Sequence, residues 1–374
     1  MTATLPTHHR ALVVENVGAD LQVKTFAVPQ PTLGAAVVRV ESAGILSYQR
    51  EIYDGTRKYD FPLPLVAGMS AIGRVAAVGA DAVRLQPGQL IFVDCTIRAR
   101  DDPHIMFLLA IHEGGTPQSK KLARDVWRDG SFAEYVRVPL ENCFPLDETS
   151  LCGKLSYTLH DLAYMACLLV PFGGLRSIGL QPGELLLVAP ATGNYGGAGV
   201  LVGLAMGARV IAMGRNETEL ERLKDFALAA NSQARLTTLY MTGDELVDAD
   251  ALHALGPLDA VLDLSPPHAA HSSHVRSAVR ALRKGGRVSL MGFQERPGVA
   301  WDVVSKDISF KGKLMYERED VELFVKMLEG GLFPRGKALV ESKVFGLEEW
   351  REGFKGAAEW VGGGRQVVFE PGRV

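Results

Sequence analysis

A β-patterned run, Leu185-Leu-Leu-Val188, leads into Ala189-Pro-Ala-Thr-Gly-Asn-Tyr-Gly-Gly-Ala198 and then into an apolar stretch with helical character through Met206. Read as Ala191-x-Gly193-x-x-Gly196, it is the glycine pattern of a dinucleotide-binding turn, with alanine in the first glycine position. Gly193 would let the backbone approach a pyrophosphate, and Gly196 would allow close helix–strand packing. Asn194 and Tyr195 lie between them, where the helix N-terminus would face the anion. The following strand, Arg209–Met213, ends in Gly214-Arg215-Asn216. At this point an NAD site presents a carboxylate to a ribose hydroxyl, but no acid precedes Glu217. Arg215 is suited to a charge-assisted bond with a 2′-phosphate, with Arg222 or Lys224 in support. The pattern predicts NADPH. The alternatives are a plain glycine turn and a solvated Arg215.

Those residues need a strand–turn–helix frame. Leu185–Val188, Arg209–Met213, Ala260–Asp263 and Arg287–Met291 are apolar runs without in/out alternation, separated by helical stretches such as Glu217–Ala230 and Ala270–Leu282. Strands of this kind belong to a parallel sheet covered on both faces, a doubly wound α/β domain. Before it, Ala11–Val14, Ala35–Val40, Gly73–Val78 and Leu90–Val93 are short strands between Pro/Gly turns, and they suggest a β-barrel. After it come a helix near Asp320–Glu329 and a strand, Gln366–Phe369, expected to return to the N-terminal domain. The expected division is 1–158 with 319–374 for the barrel domain, and 159–318 for the nucleotide domain.

Composition narrows the function classes. Lys+Arg (40) nearly balance Asp+Glu (43), so no nucleic-acid partner is implied. Four scattered cysteines fit neither a disulfide scaffold nor a CxxC metal site, and no apolar run reaches membrane-spanning length. The expectation is a cytoplasmic protein with no membrane partner. Forty glycines among 374 residues exceed the usual ~7% and call for a positional explanation.

The ordered series Glu41-Ser-Ala-Gly-Ile45, Pro62-Leu-Pro-Leu-Val-Ala-Gly68, Gly73–Gly79, Gln86-Pro-Gly-Gln89, Gly130-Ser-Phe-Ala-Glu-Tyr135, the dinucleotide turn and Lys284-Gly-Gly-Arg-Val288 resembles the medium-chain dehydrogenase/reductase superfamily over nearly the whole chain. Arg98–Pro103, Trp127–Gly130 and Met315–Arg318 look most like its fungal reductase-like members. The resemblance implies a GroES-like β-barrel domain, a Rossmann domain, a small-molecule substrate in the cleft between them, and frequent homodimers.

Departures from the family pattern are equally informative. Family alcohol dehydrogenases place zinc-site residues where this chain has Leu46, Met69 and Ser70, and Cys167 alone cannot hold a tetrahedral zinc. The four-cysteine lobe is replaced by Thr96–Arg128, expected to be a surface excursion or dimer contact, or alternatively a lid. No metal is therefore expected, and the chain looks like the zinc-free quinone and enoyl reductases. These imply reduction of an activated C=C bond by NADPH. Metal-free reduction of a ketone or aldehyde, or a cofactor-binding protein with a redox-neutral or structural role, are the alternatives. By the same resemblance Tyr48 is the candidate proton donor and Tyr53 a second one, each with core packing as its alternative. Ser265, Gly292 and Phe293 match segments whose backbone approaches the nicotinamide, and Pro171 replaces a common threonine.

Two other patterns are set aside. His268, His271 and His274 drift around a helix without an acid partner, so a solvated helix start is expected. Gly68-Met-Ser-Ala-Ile-Gly73 has one residue too many for a hydrolase elbow.

Overall fold

The computed structural model describes residues 5–295 and 300–373. They form two compact units. One holds the chain up to Ala166 with Glu341–Trp360 and the segment from Gln366 onward; the other holds Cys167–Val340 and Val361–Arg365.

The first unit begins with β1 (His8–Val14), β2 (Gln22–Ala27), β3 (Ala35–Ile45), helix α1 (Gln49–Tyr53), β4 (Leu65–Val66), β5 (Ala71–Val78) and β6 (Leu90–Val93). It continues with β7 (Thr96–Arg98), β8 (Met106–Leu108), α2 (Pro117–Asp125), β9 (Tyr135–Pro139), β10 (Cys143–Pro145) and α3 (Leu159–Ala163). The second unit holds α4 (Met165–Ser177), β11 (Leu185–Ala189), α5 (Asn194–Ala205), β12 (Arg209–Gly214), α6 (Glu217–Ala230), β13 (Leu236–Tyr240), α7 (Glu245–Ala254) and β14 (Leu258–Asp263). It ends with α8 (His274–Ala281), β15 (Leu282–Leu290), α9 (Ala300–Ser305), β16 (Ser309–Gly312) and α10 (Arg318–Glu329). The chain then returns to the first unit as β17 (Glu341–Phe345), α11 (Trp350–Glu359) and β18 (Arg365–Phe369).

In the first unit, β10-β6-β5-β3-β18-β17 form one sheet with β9 also on β3, and β2-β1-β4 form another. A bridge between Ala11 and Ala133 and the bond from Leu12 N to Phe132 O (2.8 Å) join the two sheets, giving the barrel that the closely spaced strands predict. Phe132 and Phe369 meet edge to face at 4.8 Å, with Phe354 and Tyr53 stacked beyond them. The return of Gln366–Phe369 to β3 is as expected.

Residues 96–128 are more than a surface excursion. Ile97, Phe107, Leu109 and Ile111 are buried, so the apolar side chains of this segment pack inward. The Glu113 side chain is 1% exposed and is clamped by Arg124 (2.8 Å) and Lys120 (3.3 Å).

The second unit's sheet is parallel throughout, in the order β13-β12-β11-β14-β15-β16. This is the doubly wound order, with its switch point between β11 and β14, where ligands bind outside the carboxyl ends of the strands. Leu185, Leu187, Ile211, Val261, Val275 and Val288 make its apolar interior, as the unalternating strands predict. Both ends of this unit differ from 159–318. Helix α3 stays with the first unit, whereas α10 stays with the second, because Phe324 packs on Phe172 (5.4 Å) and Phe333 (4.9 Å). Among the described residues no helix is long and apolar enough to cross a membrane.

Candidate functional site

Strand β11 ends at Ala189 and α5 begins at Asn194 with Gly193 as its N-cap. A Cβ on Gly196 would come 2.0 Å from the Pro190 carbonyl oxygen, so only glycine lets the helix start this close to the strand end. A Cβ on Gly193 would meet nothing within 4 Å; this residue faces open space at the first turn of α5, whose N–H groups lack carbonyl partners within the helix. An open, glycine-lined helix N-terminus fits a dinucleotide pyrophosphate. Tyr195 is half-buried beside it.

Strand β12 delivers Gly214 against Thr192, where a Cβ would lie 2.8 Å from the threonine methyl. Arg215 follows, exposed and without an ion pair or hydrogen bond among the described residues. Asn216 caps α6 by accepting the Glu219 N–H (3.1 Å). Arg222 has a different situation from the one expected: its guanidinium is bidentate on Glu219 and donates to the Gly363 carbonyl at 2.6 Å. Its charge is already neutralised within the protein, which leaves Arg215, among the described residues, as the unpaired cation at this strand end.

The contact at Gly363 explains a glycine run that carried no local signal. Gly362 N donates to Asn194 Oδ1 (2.6 Å), and a Cβ on Gly197 would lie 2.3 Å from Gly363 Cα. Arg365 approaches Glu219 at 3.6 Å. Val361–Arg365 thus lies backbone to backbone on the dinucleotide turn, which bulkier residues at 197 and 363 would prevent.

At the neighbouring strand ends, Ser265, Gly292 and Phe293 come together. Phe293 N donates to Ser265 O (2.9 Å), and a Cβ on Gly292 would lie 2.2 Å from Ser265 N. Ser265 is buried, with Oγ donating to Asp263 Oδ1 (2.5 Å), while the Phe293 ring is largely exposed. The histidine reading needs correction here. His268 and His271 are exposed, but His274 is 1% exposed and its Nε2 lies 2.9 Å from Asp263 Oδ1. The helix starts at His274 rather than Ala270, so helical spacing does not relate the three histidines. The acid partner comes from β14.

In the first unit, β3 ends at Ile45 and turns into α1. The turn is held by buried Gln49, whose Oε1 accepts the Leu46 N–H (3.0 Å) and whose Nε2 donates to the Tyr53 hydroxyl (3.1 Å). Sequence reasoning gave Gln49 no role, since an isolated glutamine carries no motif. Tyr48 is half-buried, with the Arg57 guanidinium 3.9 Å above its ring. Tyr53 is fully buried; its hydroxyl donates to Ala110 O (3.2 Å) and accepts from Gly68 N (3.2 Å), and burial pushes its pKa up to about 12. Its single proton is committed to a backbone carbonyl, so the geometry makes Tyr53 a tether and corrects its reading as a second proton donor. Leu46, Met69 and Ser70 stand where the zinc residues of the resemblance would be, and Ser70 Oγ accepts the Cys95 N–H at 3.3 Å. Among the described residues no group of three or more His, Cys, Asp or Glu could hold a metal ion.

Residues 32–148 match the alcohol dehydrogenase GroES-like domain. L-threonine 3-dehydrogenase of Ruegeria pomeroyi is 27% identical, over 91% of this chain and 94% of its own. Among solved structures, an Escherichia coli alcohol dehydrogenase complexed with NADH superposes with a TM-score of 0.76 at 19% identity, covering 98% of this chain and 100% of that one. A zinc-binding dehydrogenase from Sinorhizobium meliloti bound to NADP gives 0.71 at 19% identity, with the same coverage. Residues 32–148 thus match a GroES-like domain, and the chain as a whole, with its barrel and doubly wound sheet, is similar to threonine and alcohol dehydrogenases over nearly its full length.

Proposed function

We propose that the protein is an NADPH-dependent, zinc-independent oxidoreductase that reduces an activated C=C bond, such as that of an enone, quinone or enoyl compound. The observation that carries the cofactor choice is Arg215, a cation after β12 without a partner among the described residues, in a position where no carboxylate competes for the ribose. The pyrophosphate would rest on the first turn of α5 at Gly193–Gly196, with Asn194 and Tyr195 beside it. Gly214 would border the ribose, and Ser265, Gly292 and Phe293 the nicotinamide.

When bound, NADPH supplies a hydride to the acceptor carbon. The protein's own task is then to receive the charge that develops on the conjugated oxygen. Leu46, Met69 and Ser70 offer no strong metal donors, so this falls to a hydroxyl group, and Tyr48 Oη is assigned as the proton donor. Arg57 over the Tyr48 ring holds the phenol in place.

A second reading, metal-free reduction of a ketone or aldehyde, is favoured by the names of the relatives, which are threonine and alcohol dehydrogenases. One experiment separates the two. Binding of NADPH and NADH is measured first, and absorbance at 340 nm is then followed across enones, quinones, ketones and aldehydes. Turnover of enones or quinones supports the first reading, and turnover of carbonyls alone moves the assignment to the second. Binding without turnover leaves the redox-neutral role, and absence of NADPH binding refutes the cofactor assignment. A homodimer in the cytoplasm completes the proposal.

A further inference from the structure

We propose that His274 is a positioning residue for the nicotinamide half of the cofactor, acting through Asp263 on the joined loops that carry Ser265 and Gly292–Gln294; this rests on the NADPH reading above. A continuous network, buried at His274, Asp263 and Ser265 and half-buried at its ends Ser272 and Gln294, supports it. Ser272 Oγ lies 2.9 Å from His274 Nδ1, and His274 Nε2 lies 2.9 Å from Asp263 Oδ1. The same oxygen accepts the Ser265 hydroxyl (2.5 Å) and the Ser265 N–H (3.2 Å). Gln294 Nε2 then donates to Ser265 Oγ (3.1 Å) and to Ala269 O (3.0 Å). The network therefore starts on α8 and ends on the loops beyond the carboxyl ends of β14 and β15, the side of a doubly wound sheet that binds ligands.

These loops are mechanically one piece. Gly292 touches the Ser265 backbone so closely that no Cβ fits, and a Cβ there would also lie 2.8 Å from Asp263 Oδ2. A shift of the Asp263 carboxylate would move both loops. The network is not a nucleophilic triad, because serine and histidine both approach the carboxylate and the serine hydroxyl is spent on it. Nor is it built for stability alone. Among the described residues the buried atoms Asp263 Oδ2 and Gln294 Oε1 have no hydrogen-bond partner, a costly arrangement more typical of functional sites than of packing.

The test compares two probes, NADPH and 2′,5′-ADP, the latter keeping the phosphorylated adenosine half but lacking nicotinamide. Their dissociation constants are measured for the native protein, His274→Leu and His274→Gln, alongside kcat and thermal unfolding. His274→Leu is expected to weaken NADPH about tenfold through the lost bond to a buried carboxylate while leaving 2′,5′-ADP unchanged, and kcat should fall as well. His274→Gln, which keeps a donor for Asp263, should restore most of both. Unchanged NADPH affinity in a folded His274→Leu protein overturns the proposal, as does an equal loss for both probes. If His274→Leu does not fold, Gln294→Ala, at the far end of the network, is put through the same comparison and decides. Absence of NADPH binding by the native protein overturns the functional reading and this inference together, whereas native binding with an unaltered variant overturns this inference alone.

Discussion

Replacing Arg215 with alanine should separate the two nicotinamide cofactors. Arg215 is exposed and unpaired, so removing it breaks no internal contact among the described residues and leaves the fold intact. On the proposed NADPH reading it removes one charge-assisted interaction with a 2′-phosphate, worth about 1.5–3 kcal/mol, or roughly 10- to 150-fold in affinity. Its exposure favours the lower end, because water and salt screen the pair. NADPH should therefore bind at least about tenfold more weakly, NADH should be unaffected, and the NADPH loss should shrink as ionic strength rises. Fluorescence titration of both cofactors at two salt concentrations measures this. Arg222→Ala is the contrast. That guanidinium is bonded to Glu219 and the Gly363 carbonyl, so its loss should loosen the Val361–Arg365 segment and weaken both cofactors alike. Equal losses of NADPH and NADH in Arg215→Ala would refute the role assigned to it.

Further outcomes follow from the same geometry. Tyr48→Phe should lower kcat with NADPH affinity nearly unchanged, and unchanged turnover would remove Tyr48 from the mechanism. Tyr53→Phe should instead cost about 1–3 kcal/mol of stability in chemical denaturation, since it strips the bonds to Ala110, Gly68 and Gln49 while leaving turnover per folded molecule intact. Gly196→Ala should destabilise by about 1–3 kcal/mol and impair NADPH binding, because its Cβ collides with the Pro190 carbonyl; wild-type affinity at full stability would contradict the close packing. The Arg124 and Lys120 bonds hold the Glu113 carboxyl below the usual carboxylate range despite its burial. A depressed folded pKa means that its stabilisation is present above the unfolded pKa and is lost as pH falls through the folded one. Glu113→Gln should thus lower the Tm by a few degrees at neutral pH, and the gap should close on acidification below about pH 4. A gap independent of pH would show that the charge is not responsible.

Residues that act through their immediate neighbours could be recognised in the chain itself. The turn at Gly193–Gly196 is a local strand–turn–helix device, and Arg215 follows its strand directly, so periodicity and spacing locate both. Four of the six parallel strands, β11, β12, β14 and β15, were visible for the same reason, since a strand buried on both faces is apolar at nearly every position, whereas the more exposed edge strands β13 and β16 carried no such run. Positions defined by long-range partners stayed hidden. Tyr48 and Tyr53 are similar in sequence terms, yet only the fold buries the second and commits its proton to Ala110. Arg222 looked as available as Arg215 until the distant glycine run at Gly362–Gly364 closed over it.

The sequence by itself determined the two-part architecture and pointed to a dinucleotide turn, because helix and strand patterns, glycine turns and the charge following a strand are set over a few consecutive residues. Only the tertiary structure decided which charges are spent internally and which side chains hold the site. His274 is joined to Asp263 across a loop, and Gly363 to Gly197 across most of the second unit's length; such contacts depend on chain closure, which residue spacing does not encode.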